Sequence, residues 1–174
     1  MIVKRRGEIV IFTLGVLAFM TLPLIAKHLG LSFNDTTSVP TGLYRTASPD
    51  KFQYVAVCLP QQTVQVATRA GIAIPGGDCH DGHQPILKRL YYASNEHPIE
   101  LSERGFRVDG RPLANTVPKE KSSKGKSLNH FAFGLYTQGL WVISDYNANS
   151  FDSRYFGPIQ PEEILYYAAP VWVF

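Results

Sequence analysis

The chain has 174 residues, 45% of them hydrophobic and 18% charged, with a net charge of +3. That length favours a single domain and the composition excludes intrinsic disorder. So mild a charge, with no basic helix or basic–aromatic repeat, excludes nucleic acid as a partner.

Lys4, Arg5 and Arg6 precede an uncharged stretch from Ile9 to Ala26, IVIFTLGVLAFMTLPLIA, which Lys27 closes. About 18 residues at about 1.5 Å each are just long enough to cross the apolar core of a bilayer. The upstream positive charge predicts a cytoplasmic N-terminus, residues 1–8, an anchor at 9–26 and an exported body, residues 27–174. A cleaved signal peptide needs small residues in an Ala-x-Ala pattern, and Leu24 in LPLIAKH departs from it, so an uncleaved anchor is expected. A buried soluble helix fits less well, because the stretch has a basic flank and no polar face.

Beyond the anchor the pattern is mainly β. NDTTSVPTGLY places Ser38 between polar residues and a Pro-x-Gly bend, a turn by composition. Tyr54 to Leu59, bounded by Pro49 and Pro60, reads as a strand. TVQVATRAGIAI fits either a short helix or a strand. PGGDCHDGHQP is a turn-rich loop and ILKRLYY a strand. IELSERGFRVDGRPLAN pairs short strands, with Asp109-Gly110 as a hairpin-turn signal. VPKEKSSKGKSLNH is a basic, solvated loop, with contact to anionic lipid headgroups as its functional alternative. FAFGLYTQGLWVISDYN returns to aromatic strands, and EEILYYAAPVWVF ends the chain as a helical turn and a last strand. The expected architecture is an all-β domain hung from one helix.

Cys58 and Cys79 both fall in the exported part, and an even count in an oxidising compartment predicts one disulfide. Two buried free thiols are the alternative. The apolar setting VAVCLP argues against a catalytic thiolate. Cys79, His80, Asp81 and His83 are of metal-binding type, but their spacing matches no standard zinc pattern, and neither metal nor cofactor is expected.

A nucleophilic serine needs a base. Among His28, His80, His83, His97 and His130 only the CHDGH pair has a distinctive setting. Lysine is the other option: on a strand, Ile86, Lys88, Leu90 and Tyr92 share one face. Burial there lowers an amine from about 10.4 toward neutrality, where it serves as a general base. A lysine whose stem packs while its head reaches water is the competing reading. The third segment is SDYNANSFDSRYFGPI, residues 144–159, dense in Asp, Asn and Ser. Asp152 and Arg154 are placed to form an ion pair and Ser150 to orient an amine, unless the stretch is a plain Asx-rich turn.

Together, SVPTG after an N-terminal anchor, ILKRLYY, and NSFDSRYFG near the C-terminus resemble the type I signal peptidase family of serine–lysine endopeptidases. The order Ser, then Lys-Arg, then Asp-Ser-Arg with an aromatic pair and Gly carries the likeness. The resemblance implies a signal-peptidase-like antiparallel β-sheet catalytic domain with Ser38 as nucleophile and Lys88 as general base. It makes Ser150 the hydrogen-bond partner of the lysine amine and Asp152 and Arg154 the bracing pair. Thr36 stands where a hydroxyl helps the Ser38 N–H bind the oxyanion.

Three departures mark a variant. Pro40 follows Ser38 after only Val39, where ordinary members carry Ser-Met-x-Pro. YASNE replaces the usual Gly-x-x-Gly-Asp, and SDYNANS lacks an interior Arg and Asp. This pattern is most similar to the conjugative-transfer signal peptidases of the TraF type, which mature a pilin subunit and in some systems join its ends into a ring. The implied partners are a preprotein or propilin substrate, the lipid bilayer and other proteins of the conjugation apparatus. The implied location is the bacterial inner membrane, crossed once, with the catalytic domain in the periplasm. A non-enzymatic envelope assembly component, with SVPTG a simple turn and Lys88 on the surface, is the alternative.

Overall fold

The computed structural model describes residues 2–73 and 75–174, apart from the side chains of residues 2–11, 14, 18 and 23; Met1 and Ile74 lie outside the described residues. Helix α1, Ile2–His28, contains the whole of the expected 9–26 anchor. Among the described residues no helix is long and apolar enough to cross a membrane. The anchor therefore rests on the sequence. The side chains of Phe12, Leu17, Phe19, Met20, Leu22 and Leu24 are exposed along α1. Lys27 and His28 close its last turn, where the Lys27 charge meets the negative end of the helix.

Strands β1 (Leu31–Asn34), β2 (Gly42–Ala47) and β3 (Tyr54–Val57) come first, followed by helix α2 (Gln61–Arg69) and strand β4 (Ile86–Ala93). Short strands β5 (Ile99–Ser102), β6 (Gly105–Val108), β7 (Arg111–Pro112) and β8 (Gly134–Tyr136) follow. Strand β9 (Gly139–Ile143), helix α3 (Ser153–Phe156), a 3₁₀ turn (Pro161–Glu163) and strand β10 (Ile164–Val173) complete the chain. Among the described residues the strands form two antiparallel sheets, ordered β1-β2-β10-β3-β4-β9 and β7-β6-β5-β8.

The apolar run at Tyr54–Val57 is buried at every residue, as befits a strand covered on both faces. Its Val55 and Val57 share a core with Val64 and Ala67 of α2 and with Leu90, Val142 and Phe151. A second core joins Trp141 and Ile143 of β9 to Ile99, Leu101 and Phe106 of the smaller sheet. A third, Val39, Tyr44, Tyr54 and Ala168, lies beside the turn that carries Ser38. At the start of β2, Gly42 has a φ of 148°, and a Cβ there would come 2.2 Å from the Trp172 carbonyl oxygen. The glycine of SVPTG is what lets β10 approach the turn so closely.

The expected hairpin is present: Asp109 and Gly110 both have positive φ and join β6 to β7. The all-β expectation needs correction, because TVQVATRAGIAI starts as a helix. Val64 and Ala67, three apart, bury one face, and Gly71, with a φ of 71°, ends the run. Packing of that face outweighs the β preference of its valines. The basic stretch also differs from a plain loop. Ser122 N–H donates to the Lys126 carbonyl at 2.8 Å, and the Ser122 hydroxyl to the Ala70 carbonyl at 2.9 Å, so it leans on the end of α2.

Cys58 and Cys79 are bonded to each other, tying the end of β3 to the loop before β4 across α2. Closing a loop of this length is expected to contribute about 3 kcal/mol of stability. The double variant Cys58→Ala/Cys79→Ala should therefore be less stable by about 3 kcal/mol and unfold at a lower urea midpoint. An unchanged midpoint would contradict a stabilising role.

Candidate active site

Ser38 sits on the turn between β1 and β2, and side chains anchor that turn from several sides. Asn34, the last residue of β1, donates its amide to the Thr36 carbonyl at 2.8 Å and to the Pro40 carbonyl at 3.2 Å. Its amide oxygen accepts the Thr36 hydroxyl at 2.7 Å. The Tyr44 hydroxyl donates to the Pro40 carbonyl at 2.6 Å, and burial pushes that hydroxyl up to about 12, so it stays a donor. Val39, 2% exposed, is the apolar peg of the turn.

Lys88 lies in β4 opposite Val55 of β3 and is 2% exposed. The alternation predicted from ILKRLYY holds at Lys88 and Leu90 but fails at Tyr92, which is 56% exposed where β4 runs past its cover. Desolvation pulls the Lys88 amine down to about 8; the Asp152 carboxylate opposes the shift and Arg154 adds to it. Arg89, on the other face, reaches Asp145 at 3.4 Å and lies over the Tyr54 ring.

Asp152 and Arg154 form a fully buried ion pair behind the turn. The guanidinium donates through Nε to Asp152 Oδ1 at 2.8 Å and through Nη2 to Oδ2 at 2.9 Å. Its remaining protons reach the carbonyls of Asn115 at 2.9 Å, Ala148 at 3.3 Å and Ser150 at 3.0 Å. A buried guanidinium is tolerated because this fork of partners replaces its water. Asp152 also caps α3 by accepting the Arg154 N–H, and accepts the Ser144 N–H at 2.9 Å. The loop of residues 144–152 is thereby fixed against Ser38: the Ser150 hydroxyl donates to Ser38 Oγ at 3.3 Å.

Thr36, Ser38, Lys88 and Ser150 all line one cleft of about 700 Å³. Leu59, Val64 and Phe151 give it an apolar wall, and the disulfide-tied loop around Cys79 borders it. The structure thus brings together the serine, the lysine, both hydroxyls and, behind them, the ion pair. Among the described residues no group of three His, Cys, Asp or Glu side chains is gathered to hold a metal ion. Cys79 is engaged in the disulfide, and His83 instead pairs with Asp81 at 3.3 Å. Asn34, Tyr44, Ser144 and Asn147 escaped the sequence reading as site residues. For Asn34, Ser144 and Asn147 the one signal was the density of Asn and Ser in the two turns; Tyr44, in β2, carried none.

A family model described as "Signal peptidase, peptidase S26" matches residues 5–172. The chain belongs to the signal peptidase family. Within it, the chain is similar to the plasmid transfer protein TraF of Escherichia coli, 34% identical over 147 residues that cover 82% of each chain. It is also similar to the conjugal transfer protein TraF of Agrobacterium fabrum, 28% identical over 149 residues, 83% of this chain and 84% of that one. A third relative is the probable conjugal transfer protein TraF of Sinorhizobium fredii, 25% identical over 168 residues, 93% of this chain and 88% of that one. No solved structure matches significantly. The likeness to signal peptidases of the TraF type, read first from three short motifs, therefore extends over most of the chain.

A lysine held near 8 when folded and at 10.5 when unfolded has a definite effect on stability. Between those values the unfolded chain binds the extra proton, so stability rises with pH across that window. Below it the folded state carries a cost of about 3 kcal/mol. Lys88→Met is expected to be more stable than the wild type below pH 8, with the difference shrinking toward pH 10.5. Urea unfolding followed by tryptophan fluorescence checks this; parallel pH profiles for the two proteins would contradict it.

Proposed function

We propose that this chain is a membrane-anchored serine endopeptidase that processes an exported preprotein, the pilin subunit of a conjugative transfer system. The observation that carries the reading is Lys88, buried with its amine near 8 in the cleft that Ser38 also lines. Such an amine is neutral in a useful fraction of molecules at working pH and can take the proton of a serine hydroxyl.

The Ser38 alkoxide then attacks the scissile carbonyl, and the tetrahedral oxyanion rests on the Ser38 N–H. The Thr36 hydroxyl assists once it turns from Asn34, a donor whose loss typically costs about 3 kcal/mol. Collapse expels the amine, which takes the proton from Lys88, and leaves an ester on Ser38. Water completes a hydrolysis. A substrate amine held against the ester would instead form a new peptide bond, since well-placed groups reach effective molarities of about 10⁵ M or more.

A position at the outer face of the inner membrane suits such a substrate. The uncharged 9–26 segment behind Lys4, Arg5 and Arg6 supports a single cytoplasm-to-periplasm span. Exposed Leu29 and Phe33 just past the end of α1, with Trp172 and Phe174 at the end of β10, support contact with the bilayer surface. The disulfide suits an oxidising periplasm. The plasmid-transfer and conjugal-transfer names of the relatives support the conjugation setting, with other conjugation proteins as neighbours.

Co-expression of the propilin with the wild type, Ser38→Ala or Lys88→His, followed by intact mass, tests the reading. The wild type should trim the propilin and both variants should leave it whole; a histidine ring cannot put its nitrogen where the amine was. A wild-type product one water lighter than the linear trimmed chain means ring closure. Equal masses with the wild type and Ser38→Ala would favour an assembly component without peptidase activity.

A further inference from the structure

Ser144 is 1% exposed and makes a set of contacts that a turn alone does not require. Its hydroxyl donates to the Ser38 carbonyl oxygen at 2.5 Å, across 106 residues of sequence. Ser144 Oγ also accepts the Asn147 N–H at 3.2 Å, and the Ser144 N–H is held by Asp152 Oδ2 at 2.9 Å. Asn147 in turn donates its side-chain amide to the Thr37 hydroxyl at 2.6 Å. The carboxylate that faces Arg154 is therefore linked through Ser144 to the backbone of Ser38, and through Asn147 to the residue before it.

We propose that Ser144 is a positioning residue that fixes the Ser38 backbone so that its hydroxyl and N–H both face the cleft. The inference rests on the Ser38–Lys88 reading. The Ser38 carbonyl carbon and the Ser38 nitrogen flank the Cα that carries Oγ, so pinning the carbonyl from Ser144, with Asn147 on Thr37, restrains the backbone on both sides of the nucleophile and with it the directions of Oγ and the N–H. Asn34 and Tyr44 hold the carbonyls of Thr36 and Pro40 on either side. Ser144 is the side chain that holds the Ser38 carbonyl, and it comes from the loop braced by the ion pair. Ser144 is not itself among the residues that line the cleft, and its hydrogen bonds run to Ser38, Asn147 and Asp152 rather than to Lys88, so its loss should leave the base in place.

The test is steady-state cleavage of the propilin by the purified full chain in detergent micelles. Ser144→Ala should lower kcat by about 10–100-fold, the scale set by small misplacements of reacting groups. KM should stay within a few-fold, as expected when an interaction matters in the transition state. The midpoint of the pH–rate profile should not move, and Ser144→Thr, which keeps the hydroxyl, should recover most of the loss. If Ser144→Ala fails to fold, Ser144→Cys keeps the volume with a weaker donor and should lower kcat severalfold. A folded Ser144→Ala or Ser144→Cys with wild-type kcat overturns the proposal, as does a folded Ser144→Thr no better than alanine. A wild type that turns over no faster than Ser38→Ala removes the Ser38–Lys88 reading, and this inference falls with it; turnover that needs Ser38 but not Ser144 removes this inference alone.

Discussion

The buried Asp152–Arg154 ion pair is the constraint on which the rest of the site depends. An unpaired charge in that position would cost several kcal/mol, so the loop must close on the guanidinium with its carbonyls. Asn115, Ala148 and Ser150 supply those carbonyls, and the carboxylate holds the Ser144 N–H and the first turn of α3. Satisfying one arginine thus sets the path of the chain from Ser144 to Arg154, and with it the places of Ser144 and Ser150 beside Ser38. Glycine fits the end of this path because a Cβ on Gly157, at a φ of 79°, would strike the Phe131 ring.

The same ion pair sets limits on Lys88. Desolvation favours the neutral amine, Asp152 pulls the other way and Arg154 offsets part of that pull. A carboxylate without its arginine would hold the lysine charged, and an unpaired lysine would reach outward for water. The apolar wall from α2 and Phe151 completes this environment, and the disulfide keeps that wall beside β4. Stability and chemistry are opposed at this residue: the burial that suits Lys88 to accept a proton also costs the fold free energy below pH 8.

Much of this was legible because local physics and tertiary structure agree. The Asp109-Gly110 turn needs two left-handed residues, and only such a pair signals it so directly. Lys88 could be placed among apolar neighbours from strand alternation, which is a property of the chain itself. The α2 segment was ambiguous because its valines favour a strand while its burial spacing favours a helix, and only the packing partner decides. Ser38, Ser150, Asp152 and Arg154 were singled out through motif order, and the disulfide through cysteine count and compartment. The anchoring roles of Asn34, Ser144 and Asn147 were hidden for a different reason. Asn34 binds groups of its own turn, Ser144 and Asn147 groups of the other turn, and each of those directions exists only once the backbone is folded, so residue type carries little of that information.

The most direct test of the account is the pH dependence of kcat/KM for propilin cleavage, which reports the protonation of the free enzyme. A base pulled down to about 8 predicts activity that rises tenfold per pH unit below that value and levels off above it. A rise that continues to about 10.4, the ordinary range of a lysine in water, would mean that Lys88 is not the desolvated base. A profile flat across the whole range would mean that no such base takes part.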